Sequence, residues 1–96
     1  MAVVVIQDAE ATVDQYDAVN EKLDAENNPI DGLMVHSGAA VGDNKMRIVD
    51  IWESADAFQK FVQERLIPAI AEVSPDAPQA AEPEIHELHD LQVVSS

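Results

Sequence analysis

The chain has 96 residues and a mass of 10.4 kDa, one small domain over residues 1–96, too short for a catalytic core beside a separate regulatory unit. Nineteen Asp and Glu against five Lys and Arg give a net charge of −14, which repels a phosphate backbone or an anionic leaflet, so neither nucleic acid nor membrane is expected as a partner. The chain has no cysteine, which removes disulfides, thiolate metal sites and a cysteine nucleophile together.

Residues 2–8, Ala-Val-Val-Val-Ile-Gln-Asp, are apolar on both alternating faces up to Ile6, as in a central strand covered on both sides. The run ends by Gln7, too short for a signal segment, and no basic stretch precedes it, so a cytoplasmic location is expected. Thr12 then caps a helix. Gln15 completes a capping box, and Val13, Tyr16, Val19 and Leu23 recur at helical spacing as far as about Glu26, where Asn27-Asn28-Pro29 stops the helix. Residues 32–40 read as a strand, Gly42-Asp43-Asn44 as a hairpin turn, and residues 45–53 as the return strand. Ser54 caps a second helix with an apolar stripe of Phe58, Phe61, Val62, Leu66, Ala69, Ile70 and Val73, which Pro68 should kink or divide near Arg65. Residues 74–83 carry three prolines and form a loop, and residues 84–94 supply the last strand.

The order βαββαβ predicts an α+β fold, a ferredoxin-like sandwich with a four-stranded antiparallel sheet in the spatial order 4-1-3-2 and both helices on one face. Apolar residues on the other face, among them Val49 and Ile51, predict a second covering layer. A chain of this length buries only roughly 60–65% of its unfolded surface alone, so a homodimer is expected. The spread of acidic residues reads as a solvated surface or as a halophilic adaptation.

The element order, together with Val49-Asp50-Ile51-Trp52-Glu53-Ser54-Ala55-Asp56-Ala57-Phe58, resembles the dimeric α/β-barrel superfamily and, within it, the antibiotic biosynthesis monooxygenase-like branch. There a strand ending in Trp-x-Ser enters a helix with an aromatic residue four positions after the Ser, the place of Phe58. The resemblance implies two sheets packed face to face, with small-molecule cavities between each sheet and its own helices. It also implies a range of activities, including cofactor-independent oxidation of phenols to quinones, heme degradation, polyketide cyclisation and isomerisation. The His-Pro-x-His stretch of related barrel proteins is replaced here by Ile67-Pro68-Ala69-Ile70, and neither predicted helix holds the histidine that heme degraders use as axial ligand.

Asp50 and Trp52 are two apart on a strand and share a face with Ile48 and Met46, by the resemblance the cavity face. A carboxylate desolvated beside an indole holds its proton more tightly and can accept one from a phenol or enol, which makes Asp50 and Trp52 catalytic candidates. Equally, Asp50 pairs with Arg47, Arg65 or Tyr16, or sits at a wet strand edge, and Trp52 is a core residue. His86 and His89, three apart on a strand, face opposite sides, so a shared metal is disfavoured and at most one enters the cavity; His86 is the catalytic candidate and His89 a substrate-binding one. Tyr16 and Phe58 complete the substrate-binding set, Tyr16 also being a plausible core residue. With an even hairpin loop, His36 falls on the face of Val49 and Ile51, in a dimer interface.

No nucleotide, phosphate-loop or zinc-protease motif is present, and no metal or cofactor is expected. The leading reading is a homodimer that binds a small, apolar, oxygenated molecule, phenolic or polyketide-like, and acts on it as a cofactor-independent monooxygenase. The alternatives are a non-catalytic binding or accessory dimer, and metal binding by histidines brought together across a dimer.

Overall fold

The β-branched run from Val3 to Ile6 forms the inner strand around which the sheet assembles, β1 (Val3–Ala9). In the computed structural model, which describes residues 1–76 and 82–94, β1 lies antiparallel between β3 (Lys45–Trp52) and β4 (Glu84–Glu87), and β2 (Leu33–Gly42) pairs with the far side of β3. The order β2-β3-β1-β4 is the ferredoxin-like topology expected from the sequence.

Helix α1 (Val13–Leu23) starts as its cap predicts: Thr12 Oγ1 accepts from the Gln15 N–H at 3.1 Å, and the Gln15 side-chain oxygen accepts from the Thr12 N–H at 2.9 Å. It ends one turn early. Asp24 turns left-handed at φ 48°, its carbonyl accepts from the N–H groups of Asn27 and Asn28, and its carboxylate takes the Asn27 side chain. The Ser54 hydroxyl caps α2 (Ala55–Phe61) by accepting from the Ala57 N–H at 3.1 Å.

Between α2 and α3 (Ile67–Val73) the helix widens into a π-turn over Val62–Leu66, closed by Ile67 N–H bonding back to Val62 O. Pro68 cannot bond to the preceding turn, and the extra residue in the wider turn absorbs this while the backbone stays helical. The expected break near Arg65 is therefore a π-turn. The Arg65 guanidinium within it donates to the carbonyls of Leu23, Asn28 and Pro29, tying the end of α1 to the second helix.

The core gathers at one end of the sheet, where Val3, Val5 and Trp52 meet Phe58, with Ile30, Leu33, Phe61 and Ile85 around them. Gly32, at φ 85°, lets the chain pass under the start of α2: a Cβ there would lie 2.6 Å from that of Ala57.

Two expectations need correction. The last strand stops at Glu87 rather than Val94: Glu87 already faces Val3, Leu88 N–H takes Ala2 O at 2.9 Å, and β1 offers nothing further to pair with. The expected loop over residues 74–83 lies in part outside the described residues. The second correction concerns β2. Its two-residue turn is even, with Gly42 opposite Lys45, yet a β-bulge between Ala40 and Gly42 accommodates Val41 as an extra residue, so His36 pairs with Asp50 instead of Ile51. One residue of offset moves His36 to the helix-covered face, away from Val49 and Ile51.

Candidate functional site

Antiparallel partners share a face, so the register places Val3, Val5, Gln7, Met46, Ile48, Asp50, Trp52, His36 and Gly38 under the helices. On that face three side chains from three elements form a hydrogen-bonded chain. Asp50, on inner strand β3, is 6% exposed and holds His36 Nδ1 at 2.8 Å through Oδ1. His36 Nε2 in turn meets the hydroxyl of Tyr16, from α1, at 2.7 Å. The Tyr16 and His36 rings lie end to end across this bond, their planes 10° from parallel and their centroids 6.2 Å apart.

In the neutral imidazole, Nδ1–H donates to the carboxylate and Nε2 accepts from the phenol; after protonation Nε2–H donates to the Tyr16 oxygen instead. The hydrogen bond to Asp50 raises the affinity of His36 for a proton above that of an ordinary histidine, burial works against this, and the carboxylate charge adds to it. The arrangement is that of a base oriented by a buried carboxylate.

This gives a pH dependence of defined sign. Because the folded pKa of His36 is raised, the His36–Asp50 pair stabilises the fold fully below the unfolded value of about 6.5 and loses that contribution as pH rises through the folded value. The urea midpoint of the wild type should therefore exceed that of His36→Gln most at about pH 5.5, with the gap narrowing toward about pH 8.5. A gap that widens with pH contradicts the pairing.

The other candidates fall elsewhere. Trp52 is fully buried, edge-on to Phe58 at 5.6 Å and tilted against Phe61 at 5.2 Å, and its Nε1–H has no hydrogen-bond partner among the described residues. Phe58, 3% exposed, belongs to the same cluster. His86 pairs with Val4 and so lies on the sheet face opposite Asp50, while His89 follows the end of β4 and is exposed. Neither arginine reaches Asp50: Arg47 pairs with Asp8 at 2.8 Å, which holds the Asp8 carboxyl below its usual range, and Arg65 is engaged on carbonyls. Two open surface clefts lie away from the three-residue chain, one of about 530 Å³ between α1 and α3 beside Arg65 and one of about 650 Å³ along α1.

Helical stripe and strand parity point to Tyr16 and Asp50 in the sequence, whereas an even turn alone would put His36, which joins them, on the other face. Gly38 carries no signal of its own in the sequence. A Cβ at Gly38 would come within 2.5 Å of the Tyr16 hydroxyl, so only glycine leaves room for the phenol above the strand.

Among the described residues no group of three or more His, Asp or Glu side chains is placed to hold a metal ion, and no helix is long and apolar enough to cross a membrane. No family model and no curated protein sequence matches the chain. Solved structures do. A candidate antibiotic biosynthesis monooxygenase from Chloroflexus aurantiacus J-10-fl superposes with a TM-score of 0.70 at 17% identity, over 99% of this chain and 100% of that one. SnoaB, a cofactor-independent oxygenase from Streptomyces nogalater, gives a TM-score of 0.63 at 16% identity over 94% of each chain. A candidate antibiotic biosynthesis monooxygenase from Deinococcus radiodurans gives 0.64 at 11% identity, over 98% of this chain and 99% of that one. The chain thus has the fold of the antibiotic biosynthesis monooxygenase-like proteins.

Proposed function

We propose that this protein is a homodimer that binds a small phenolic or enolic molecule and oxidises it with dioxygen and without a cofactor, His36 taking the substrate proton. The observation that carries the reading is the position of His36 between buried Asp50 and a phenolic oxygen, both within 2.8 Å. It revises the sequence-based role of Asp50 from base to the group that orients the base.

In the reaction, a substrate hydroxyl gives its proton to His36 Nε2, and the phenolate passes an electron to dioxygen. The phenoxyl radical and superoxide combine at a ring carbon as a peroxide anion, which takes the proton back from His36 to become a hydroperoxide, and loss of the C–H proton and of hydroxide as water leaves a carbonyl. The ring loses two hydrogens and gains one oxygen, the other oxygen of O₂ leaves in water, and four electrons pass from ring to dioxygen. The protein supplies proton transfer and orientation. An oxygen electrode with 1-naphthol and hydroxylated anthracenes tests this: uptake that depends on protein and substrate is expected, and none with any candidate overturns the oxygenase.

The full burial of Trp52 favours a second reading, a binding or accessory dimer in which side chains fill the place of a cavity. Trp52 emission that naphthol leaves unchanged, together with no oxygen uptake, is the result that selects it.

The homodimer is supported by the outer sheet face, where Val4, Ile6, Val35 and Ile51 are half-buried and Val49 is exposed. Light scattering in moderate salt should give about 21 kDa, twice the chain mass of 10.4 kDa. Each chain carries −14, so the dimer should weaken as the Debye length grows from about 3 Å at 1 M salt to about 30 Å at 0.01 M. A mass near that of one chain at every salt concentration contradicts it.

A further inference from the structure

We infer that Tyr16 occupies the seat of the substrate hydroxyl in the resting protein, so that a phenol enters by displacing it from His36, lying flat above Gly38. The inference rests on the reading of His36 as the proton acceptor.

Tyr16 is itself a phenol, and its hydroxyl meets the one imidazole nitrogen that Asp50 leaves free, at 2.7 Å. Its ring lies 10° from the plane of the imidazole, and the strand beneath the hydroxyl is bare because residue 38 is glycine. The protein thereby displays the ligand chemistry of its own site: a neutral aromatic hydroxyl, ring parallel to His36, over a floor without a side chain. A larger phenol needs the same donor position and the same floor.

The element that carries Tyr16 is built to yield. Helix α1 buries none of its residues completely, so lifting it exposes little that was fully dry. Its C-terminal end stays anchored, since Arg65 donates to Leu23 O at 2.7 Å from the second helix. The displacement is therefore a pivot of the Tyr16 end of α1 about the Arg65 tether. The side chain of His36 is 40% exposed even with Tyr16 in place, so a ligand can reach the edge of the seat before Tyr16 leaves.

NMR titration of the full chain with 1-naphthol, following the His36 ring signals and the contact between the Tyr16 and His36 rings, tests the inference. The contact should be lost in step with binding. Tyr16→Phe, which removes the competing hydrogen bond, should bind naphthol roughly 2- to 10-fold more tightly, the worth of one such bond. Gly38→Ala should bind it more weakly, because its Cβ enters the floor of the seat. Both variants break the same hydrogen bond, so a purely structural role for that bond moves them in the same direction, and that outcome overturns the inference. Naphthol bound with the ring contact intact overturns it too, as does absence of binding to wild type and Tyr16→Phe alike. Displacement of Tyr16 without oxygen uptake leaves the seat standing and removes the oxygenase; oxygen uptake with the contact intact does the reverse.

Discussion

Trp52→Ala is expected to lower the stability of the fold by about 3–5 kcal/mol, the usual cost of truncating a large buried aromatic. The side chain has no exposed surface, it contacts both Phe58 and Phe61, and its strand lies inside the sheet, so little can collapse into the space left behind. Small domains are stable by only about 5–15 kcal/mol, so this variant should sit near its unfolding threshold at room temperature. Trp52→Phe should behave differently. It leaves a smaller void, and it removes an indole N–H that has no partner among the described residues, relieving a cost of about 1–3 kcal/mol. The two effects oppose each other, and urea denaturation should show Phe tolerated far better than Ala. Equal losses from the two substitutions mean that the N–H is satisfied in solution.

For the chemistry, the largest effect is expected at His36. His36→Gln should lower oxygen uptake by roughly 10² to 10⁴, the contribution of a positioned base, and remove the acidic limb of the kcat/KM profile. Asp50→Asn keeps an oxygen able to accept from Nδ1–H but discards the charge that raises the proton affinity of His36. Its acidic limb should therefore move to lower pH while the plateau falls. The same variant separates the two roles considered for Asp50: if that residue takes the substrate proton itself, its replacement abolishes turnover and His36→Gln spares the limb.

The sequence announces local structure where the signal is local. Thr12 and Gln15 cap α1 reciprocally, Ser54 caps α2, and Pro68 marks the region of the second helix that the π-turn relieves. Strand order follows from the alternation of elements and the rules of connection. Leu88, Leu91 and Val93 are apolar enough to extend the last strand on paper, while the shortage that ends it lies at the other end of the chain, where β1 begins at Val3. The site was half legible for a related reason. Tyr16 and Asp50 declare themselves by helical stripe and strand parity, but the face that His36 adopts depends on how Ala40 and Val41 are accommodated opposite β3, and nothing in those residue types reports it.

That dependence makes chain length, rather than residue type, the most powerful variable near the site. Substituting Val41 leaves the count of residues between the turn and His36 unchanged, and with it the pairing to Asp50. Deleting one residue there removes the need for the bulge and leaves His36 opposite Asp50 in a regular ladder, whereas inserting one beside the bulge moves His36 opposite Ile51 and rotates it outward, where its nearest company is apolar and no carboxylate waits. Removing the added residue, at any position between His36 and the turn, brings the imidazole back. Two proteins of this fold with the same Tyr, His and Asp can thus differ completely in whether those residues meet, and one extra residue in a hairpin, with no second bulge to absorb it, is enough to part them.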